Sequence, residues 1–412
     1  MELEHQTTEG TLSSTSPLGF SPPGKKLTVL TLFGTRPEAI KVAPVISELE
    51  ARGDRFRTVN VNSGQHTDLL APFVELFALR IDHDLGVMVP DQSPSGVCAR
   101  VLTNLDQLLE LEKPDLILVQ GDTSTALSGA LAGFHRRIPV GHIEAGLRSG
   151  DPNSPFPEEM NRRLISKLAS VHFAATTHNR DLLLSEGVSA KAIFVTGNPV
   201  VDSLHRIVRT AKPAAEVRSV LDRFALYKLI VLTTHRRESL GAAMMANLRA
   251  LREFIEHHED VALVFPVHLN PMVGQAARSI LAGHDRIQLL PPLGYPEFLA
   301  LLRNAWLVVS DSGGVQEEAP SLGKPLLVLR ENTERPEAIE SGVARLVGSG
   351  ADSLAAQLDE AYRSPEWVNS INEIPNPFGN GDSGPRIVDA IEMILVLTAD
   401  AGSAARVTIP AV

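Results

Sequence analysis

Residues 115–129 read DLILVQGDTSTALSG, residues 138–151 read IPVGHIEAGLRSGD, and residues 154–164 read SPFPEEMNRRL. The first stretch holds an apolar run, DLILVQGD, that passes through Gly-Asp into a helical segment over 123–137. The second holds a shorter run, PVGHIE, and a helix over 157–169 follows it. Short apolar runs bounded by turn residues and alternating with helical spacing read as buried strands joined by crossover helices. Three carboxylates, Asp122, Glu144 and Glu158, sit just past these runs or at a helix start, each near Gly, Pro or Thr. That position is the mouth of a sheet, where α/β proteins bind ligands. Desolvating a carboxylate is costly, and general acid/base chemistry is one reason to keep it there.

The alternation extends in both directions. KLTVLTLFG and RFRTVNVNSGQH are strands running into turns, with helices over 36–53 and 67–79 after them. Pro37 is placed at the first helical position. A loop over 81–95 leads to a helix over 97–113. VHFAAT and IFVTGNPVVDSL complete the first series. A second series starts at KLIVLTTH and continues through VALVFPVH, IQLLPPL, WLVVSDSGG, KPLLVLR and ARLVG, with helices over 241–257, 272–282, 295–304, 315–322 and 351–363. Strands alternating with helices imply parallel sheets with right-handed crossovers. The expected architecture is α/β: two doubly wound domains. They cover residues 25–200 and 201–383 and hinge near 198–205. A last helix over about 384–400 follows the loose NPFGNGDSGP segment.

Composition limits the function classes. Of 412 residues, 43% are hydrophobic and only 5% aromatic, so the core is mostly Val, Leu, Ile and Ala, as parallel sheets require. The net charge is −11 with no long basic run, which argues against nucleic acid as the main partner. One cysteine, Cys98, excludes an intrachain disulfide or a Cys-rich metal site and fits a cytoplasmic location. No apolar run approaches the roughly 20 residues of a membrane span. Residues 1–24 are rich in Thr, Ser, Pro and Gly without an apolar core. They are expected to be a disordered extension rather than a signal peptide.

Several loops carry candidate chemistry. Ser310-Asp311-Ser312-Gly313-Gly314 joins a strand to a helix. Its glycines free amide groups to face an anion at the helix start, or make a plain turn. Glu317 and Glu318 behind it are either acids favoured by the helix dipole or carboxylates that grip sugar hydroxyls. Neither GxGxxG spacing nor a P-loop is present. Thr234-His235-Arg236-Arg237-Glu238 puts a histidine beside two arginines, where it resists a second positive charge and suits a phosphate, or is a loop histidine among solvated arginines. His142, inside a strand-like run, reads as structural, whereas His66 and His268 are ambiguous. Asp82-His83-Asp84 has the form of a metal-binding DxD but reads as solvated loop. Arg36-Pro37-Glu38-Ala39-Ile40 recurs as Arg335-Pro336-Glu337-Ala338-Ile339, which either places two arginines at strand ends facing one cleft or marks two ordinary Pro-capped helix starts, a reading that explains Pro and Glu but not Arg.

Phe33-Gly34-Thr35-Arg36-Pro37-Glu38, Gly121-Asp122-Thr123, Gly141 through Arg148, Ser154 through Glu159, Gly197-Asn198, His235 through Glu238, Pro266 through Pro271, Asp311 through Lys324 and Thr333 through Glu337 run in order along nearly the whole chain. Together they resemble the non-hydrolysing UDP-N-acetylglucosamine 2-epimerases. The resemblance implies a GT-B-like fold, two Rossmann-like domains with a central cleft, and interconversion of UDP-GlcNAc and UDP-ManNAc, without nicotinamide or an essential metal. It implies a homodimer, with the last helix returning to the first domain. By the same resemblance, Asp122, Glu144 and Glu158 are the acid/base set and His235 assists at the diphosphate. Arg36 and Lys41 bind from the first domain. Ser312, Gly313, Gly314, Glu318 and Arg335 bind UDP from the second, with Phe298 near the uracil.

Some positions depart from the family. The glutamine common near the base is absent from Leu293-Gly294-Tyr295. Gln65 and His268 match an allosteric site for a second substrate molecule, but Asp68 and Asp91 replace a common Gln and Arg. An acid in place of Arg repels a diphosphate, so weak or altered allosteric activation is expected. Three other functions share parts of this pattern: a hydrolysing epimerase releasing ManNAc and UDP, a GT-B glycosyltransferase, and a non-catalytic nucleotide-sugar sensor.

Overall fold

The computed structural model of the chain describes residues 26–234, 241–348 and 350–400. The extension expected over residues 1–24 and the candidate His235 lie outside the described residues. The first sheet is built from β1 (Leu27–Phe33), β2 (Phe56–Asn62), β3 (His83–Asp84), β4 (Leu116–Gln120), β5 (Val140–Ala145), β6 (Val171–Ala174) and β7 (Ile193–Val195). Its strand order is β3-β2-β1-β4-β5-β6-β7, all parallel. Between these strands run α1 (Arg36–Ala51), α2 (Thr67–Phe77), α3 (Pro94–Glu112), α4 (Ser124–Arg136), α5 (Glu158–Leu168) and α6 (Thr177–Ser185). Then come α7 (Pro199–Thr210) and α8 (Ala215–Arg223).

The second sheet repeats the winding. Its strands are β8 (Lys228–Thr233), β9 (Val261–Pro266), β10 (Ile287–Leu290), β11 (Leu307–Ser310), β12 (Leu326–Val328) and β13 (Ala344–Leu346), in the order β10-β9-β8-β11-β12-β13. Helices α9 (Ala242–His257), α10 (Pro271–Leu281), α11 (Tyr295–Asn304), α12 (Val315–Ser321), α13 (Pro336–Glu340), α14 (Ala351–Arg363) and α15 (Glu366–Ser370) cover it, and α16 (Ser383–Asp400) closes the described chain. In each sheet the order reverses beside the first strand. That creates a switch point between β1 and β4 and another between β8 and β11.

Period-two alternation sorts the apolar side chains. In β1, Leu30 and Leu32 pack with Val101, Leu105 and Ala130 of α3 and α4, while Val29 and Phe33 face a cluster with Val42, Val45 and Ile46 of α1. That second cluster is continuous with Val231, Val264 and Val308 of the other sheet. The bridging piece is α7, which packs on α1 of the first sheet and on α11 and α12 of the second. The segment 198–205 is therefore the start of a packed helix. Helix α16 lies against α1 and α7. Arg52 pairs with its Asp389 at 2.7 Å, and Asp202 accepts the Ser383 and Gly384 amides at 3.2 and 2.9 Å.

Helices α6 and α8 are absent from the sequence-level expectation because each buries little. Only Asn179 and Leu183 of α6, and Val217 and Val220 of α8, are buried, too few to set a period. In the Asp82-His83-Asp84 segment both acids are exposed, as a solvated segment requires, but it is not all loop. It contains edge strand β3, Asp82 Oδ2 accepts the Asn60 amide at 2.8 Å, and Asp84 Oδ2 accepts Asn62 Nδ2 at 2.7 Å.

Candidate active site

The loop after β4 lies at the first switch point. Gly121 takes φ +70, a conformation glycine adopts without strain, and its amide donates to Ile143 O at 3.0 Å. Its carbonyl faces His142 Nε2 at 2.7 Å. A carbonyl only accepts, so Nε2 carries the hydrogen. Burial drives the His142 pKa down to about 4, so the ring is neutral. The Asp122 carbonyl accepts from Asn161 Nδ2 at 2.8 Å, and its Oδ2 accepts from Arg162 Nε at 2.8 Å. Arg162 is held in turn by Glu159 at 3.0 Å. Thr123 caps α4 through the Ala126 amide at 3.0 Å. Glu158, half-buried, is the first residue of α5.

Glu144 sits in β5 at φ +65, unusual for a residue with a side chain. The pairing of β5 with β6 shifts register between Ile143 and Ala145. Such a bulge re-aims a side chain, and here the Glu144 carboxylate meets a buried polar cluster. It pairs with Lys41 Nζ and accepts from Gln120 Nε2, and Asn198 Nδ2 donates to it at 3.1 Å. Lys41 also reaches Glu317 at 3.1 Å. Arg335 joins from the second sheet: Nε donates to Glu317 at 2.6 Å, Nη1 to Glu334 at 2.6 Å, and Nη2 lies 4.0 Å from Glu144. Lys41 and Arg335 thus sit among three carboxylates drawn from both sheets.

The electrostatics separate the acids. Burial raises the Glu144 pKa, but the charges of Lys41 and Arg335 outweigh it and bring it down to about 2. Glu317 goes the other way, raised by burial and by the nearby Glu144 charge against the pull of Arg335 and Lys41. Glu318 is pushed up to about 7 by burial; its Oε1 accepts from Tyr295 OH at 2.8 Å. Lys41 stays a cation because Glu144 and Glu317 overcome its burial. The buried cluster therefore holds an ionised carboxylate in Glu144, a carboxyl that titrates at about 7 in Glu318, and cations able to meet a developing anion.

On the second sheet, Asp311 Oδ2 accepts from Thr234 Oγ1 at 2.8 Å, and its carbonyl accepts from Arg330 Nε at 2.8 Å. At Gly313 a first side-chain carbon would lie 2.9 Å from Arg335 Nη1, so the bare backbone is what admits the arginine. Ser312 and Gly314 are half-buried beside it. Phe298 of α11 packs partly against the core. Arg36 is exposed at the start of α1, 5.9 Å over the Phe73 ring, and its charge also acts on Glu318. Gln65 belongs to the first sheet, where its Oε1 accepts from Thr125 Oγ1 at 2.7 Å. His268 belongs to the second, exposed on the rim of a cavity of about 400 Å³ with Asn270 and Arg278. Among the described residues no group of three or more His, Cys, Asp or Glu could hold a metal ion.

The structure brings Lys41, Glu144 and Arg335 together with Glu317, Gln120 and Asn198. Sequence reasoning missed Gln120 and Glu334 and left Glu317 open between a dipole acid and a sugar ligand. A polar residue closing the run LILVQ was the signal for Gln120, because a central parallel strand is otherwise apolar.

Comparison with known proteins decides the family. The family described as UDP-N-acetylglucosamine 2-epimerase matches residues 47–392. The chain belongs to the UDP-N-acetylglucosamine 2-epimerase family. A UDP-N-acetylglucosamine 2-epimerase of Yersinia pestis is 44% identical over 369 residues, covering 88% of this chain and 98% of the relative. One from Bacillus subtilis is 42% identical over 367 residues, covering 89% and 95%. A solved UDP-GlcNAc 2-epimerase from Neisseria meningitidis, bound to UDP-GlcNAc, superposes with a TM-score of 0.83 at 39% identity, covering 89% of this chain and 100% of that one. The two sheets of seven and six strands are thus the GT-B-like fold of an epimerase.

Proposed function

We propose that the chain interconverts UDP-GlcNAc and UDP-ManNAc by loss and re-addition of UDP through 2-acetamidoglucal. The C2 hydrogen of the sugar is not acidic, so simple deprotonation and return is unfavourable. Elimination across C1–C2 breaks the C1–O bond to UDP and moves the C2 proton to a base. Re-protonation at C2 from the opposite face and return of UDP to C1 complete the inversion. The observation that carries this reading is the cleft cluster: an ionised Glu144 and the Asp122 loop on one sheet, and Arg335 with Ser312, Gly313 and Gly314 on the other.

We assign Asp122, Glu144, Glu158 and His235 to the acid/base set. Lys41 and Arg335 hold Glu144 ionised, so in the resting enzyme it has no proton to donate. Arg36, Lys41 and Arg335 would meet the diphosphate, Glu318 the ribose hydroxyls, and Phe298 the uracil. Residues 25–200 with the helix over about 384–400 would form one domain and residues 201–383 the UDP-binding one; the extent of each sheet and the packing of α16 on α1 support this. Exposed Leu111, Phe134 and Leu164 on α3, α4 and α5 support a homodimer. Reduced Cys98 is consistent with work in the cytoplasm.

Incubation with UDP-GlcNAc in D2O, followed by NMR, tests the reaction. UDP-ManNAc carrying deuterium at C2 is the expected product. Free ManNAc would indicate hydrolysis, and no turnover without an acceptor would indicate transfer or sensing.

A further inference from the structure

The Asp122 loop is gripped at every residue by a different part of the fold. His142 holds the Gly121 carbonyl, Asn161 the Asp122 carbonyl, and Arg162 its carboxylate. The fourth grip is at Thr123, whose Oγ1 donates to Glu38 Oε1 at 2.6 Å. Glu38 is 1% exposed, and its other oxygen accepts the Gly34 amide at 2.9 Å and the Thr35 amide at 2.8 Å. Those are the two residues before Arg36. One buried carboxylate therefore joins the loop carrying Asp122 to the loop carrying Arg36. Thr123 is fixed at both ends, because its Oγ1 also accepts the Ala126 amide at 3.0 Å.

We propose that Glu38, acting through the Thr123 hydroxyl, is a positioning residue that sets Asp122 relative to the substrate and to Arg36. It touches no reacting atom. The proposal rests on the assignment of Asp122 to the acid/base set. A helix-capping role alone explains the Gly34 and Thr35 contacts but not the contact with Thr123, 85 residues away. Burial also pushes the Glu38 carboxyl up to about 7, and the donors that offset this are neutral hydroxyls and amides. A polar link held against that cost serves what it joins.

The test compares steady-state kinetics on UDP-GlcNAc for full-length variants whose folding is checked by thermal melting. Thr123→Val should lower kcat by about 30-fold with KM changed less than about threefold, as misplacement of a catalytic group predicts. Thr123→Ser should return kcat to within about threefold of the parent. Glu38→Ala should lower kcat comparably, and adding Thr123→Val to it should cost less than a further factor of about two, because both changes cut one link. Glu38→Asp, which keeps the carboxyl but shortens its reach, should lower kcat even if Thr123→Val does not fold, and should raise KM as well because the Gly34 and Thr35 amides beside Arg36 lose their acceptor. Parental kcat in folded Thr123→Val or Glu38→Asp, or fully multiplicative losses in the double variant, would overturn the proposal. Asp122→Asn separates the two levels. If it retains turnover, the acid/base assignment falls. If it is inactive while Thr123→Val is unaffected, only the positioning role falls.

Discussion

Arg-Pro-Glu-Ala-Ile stands at 36–40 and again at 335–339, and the two copies do different things. Both open a helix, but α1 runs from Arg36 to Ala51 and α13 only from Pro336 to Glu340. Arg36 is exposed, whereas Arg335 is 7% exposed and paired with Glu317 and Glu334. The glutamates share a device. Glu38 takes the hydroxyl of Thr123, the cap of α4; Glu337 takes the hydroxyl of Thr176, the cap of α6, and Asn179 Nδ2 at 3.2 Å. The first contact stays within one sheet and its helices, while the second ties α13 of the second sheet to α6 of the first. Identical residues with the same backbone preference became a site-builder in one copy and a cross-cleft tie in the other. The neighbours, not the motif, set the role.

The arginines give the largest expected contrast. Arg335→Ala removes one buried cation from Glu317, Glu334 and Glu144 and leaves Lys41 and Arg330 to compensate them, so stability should fall by about 3 kcal/mol, the low end of the usual result of removing one partner from a buried pair. Arg36→Ala, at an exposed site, should change stability by less than about 0.5 kcal/mol and act on KM for UDP-GlcNAc. Equal losses in denaturant melts would break the comparison.

The next effect is a pH dependence at the first copy. The folded pKa of Glu38 lies at about 7, above its ordinary 4.5. Between these values the folded chain binds more protons than the unfolded one, so this group makes stability fall as pH rises through the window. The full difference is about 3 kcal/mol at about 1.4 kcal/mol per pH unit. Glu38→Gln should flatten that part of the stability profile, measured by urea melts at pH 5 and pH 8. An unchanged slope would place the Glu38 pKa near its ordinary value. Glu318, also near 7, continues to contribute in both proteins.

Thr176→Val cuts the tie made by the second copy and leaves the Glu337 carboxylate short of a donor. The expected loss is about 1–3 kcal/mol, detectable in a melt; no change would mean that Asn179 alone holds Glu337. The smallest effect concerns activation by a second substrate molecule. Gln65 is committed to Thr125, and Asp91, exposed, is an acid at the position where the family resemblance implies an arginine. The rate curve in UDP-GlcNAc should therefore be close to hyperbolic, and strong sigmoidality would contradict this.

Much of the fold was legible because parallel strands buried on both faces write themselves as apolar runs. The strands of both series lie where their runs stand. Helices α6 and α8 escaped because their few buried residues set no period. The site was legible as separate parts. Asp122, Glu144, Lys41 and Arg335 could be named from their motifs, but nothing in the spacing of residues 41, 144, 317 and 335 says that they meet. The carboxylate rotamers, the bulge at Glu144 and the contact of Glu38 with Thr123 depend on which helices the crossovers bring side by side.

The sequence by itself determined the class of fold, the family and the kinds of group in the cleft, because periodicity and motif are local properties of the chain. Only the tertiary structure decided which acid is ionised. The pKa of a buried carboxylate depends on desolvation and on the nearest charges, and for Glu144 the charge from the second sheet, Arg335, arrives from residues nearly two hundred positions away.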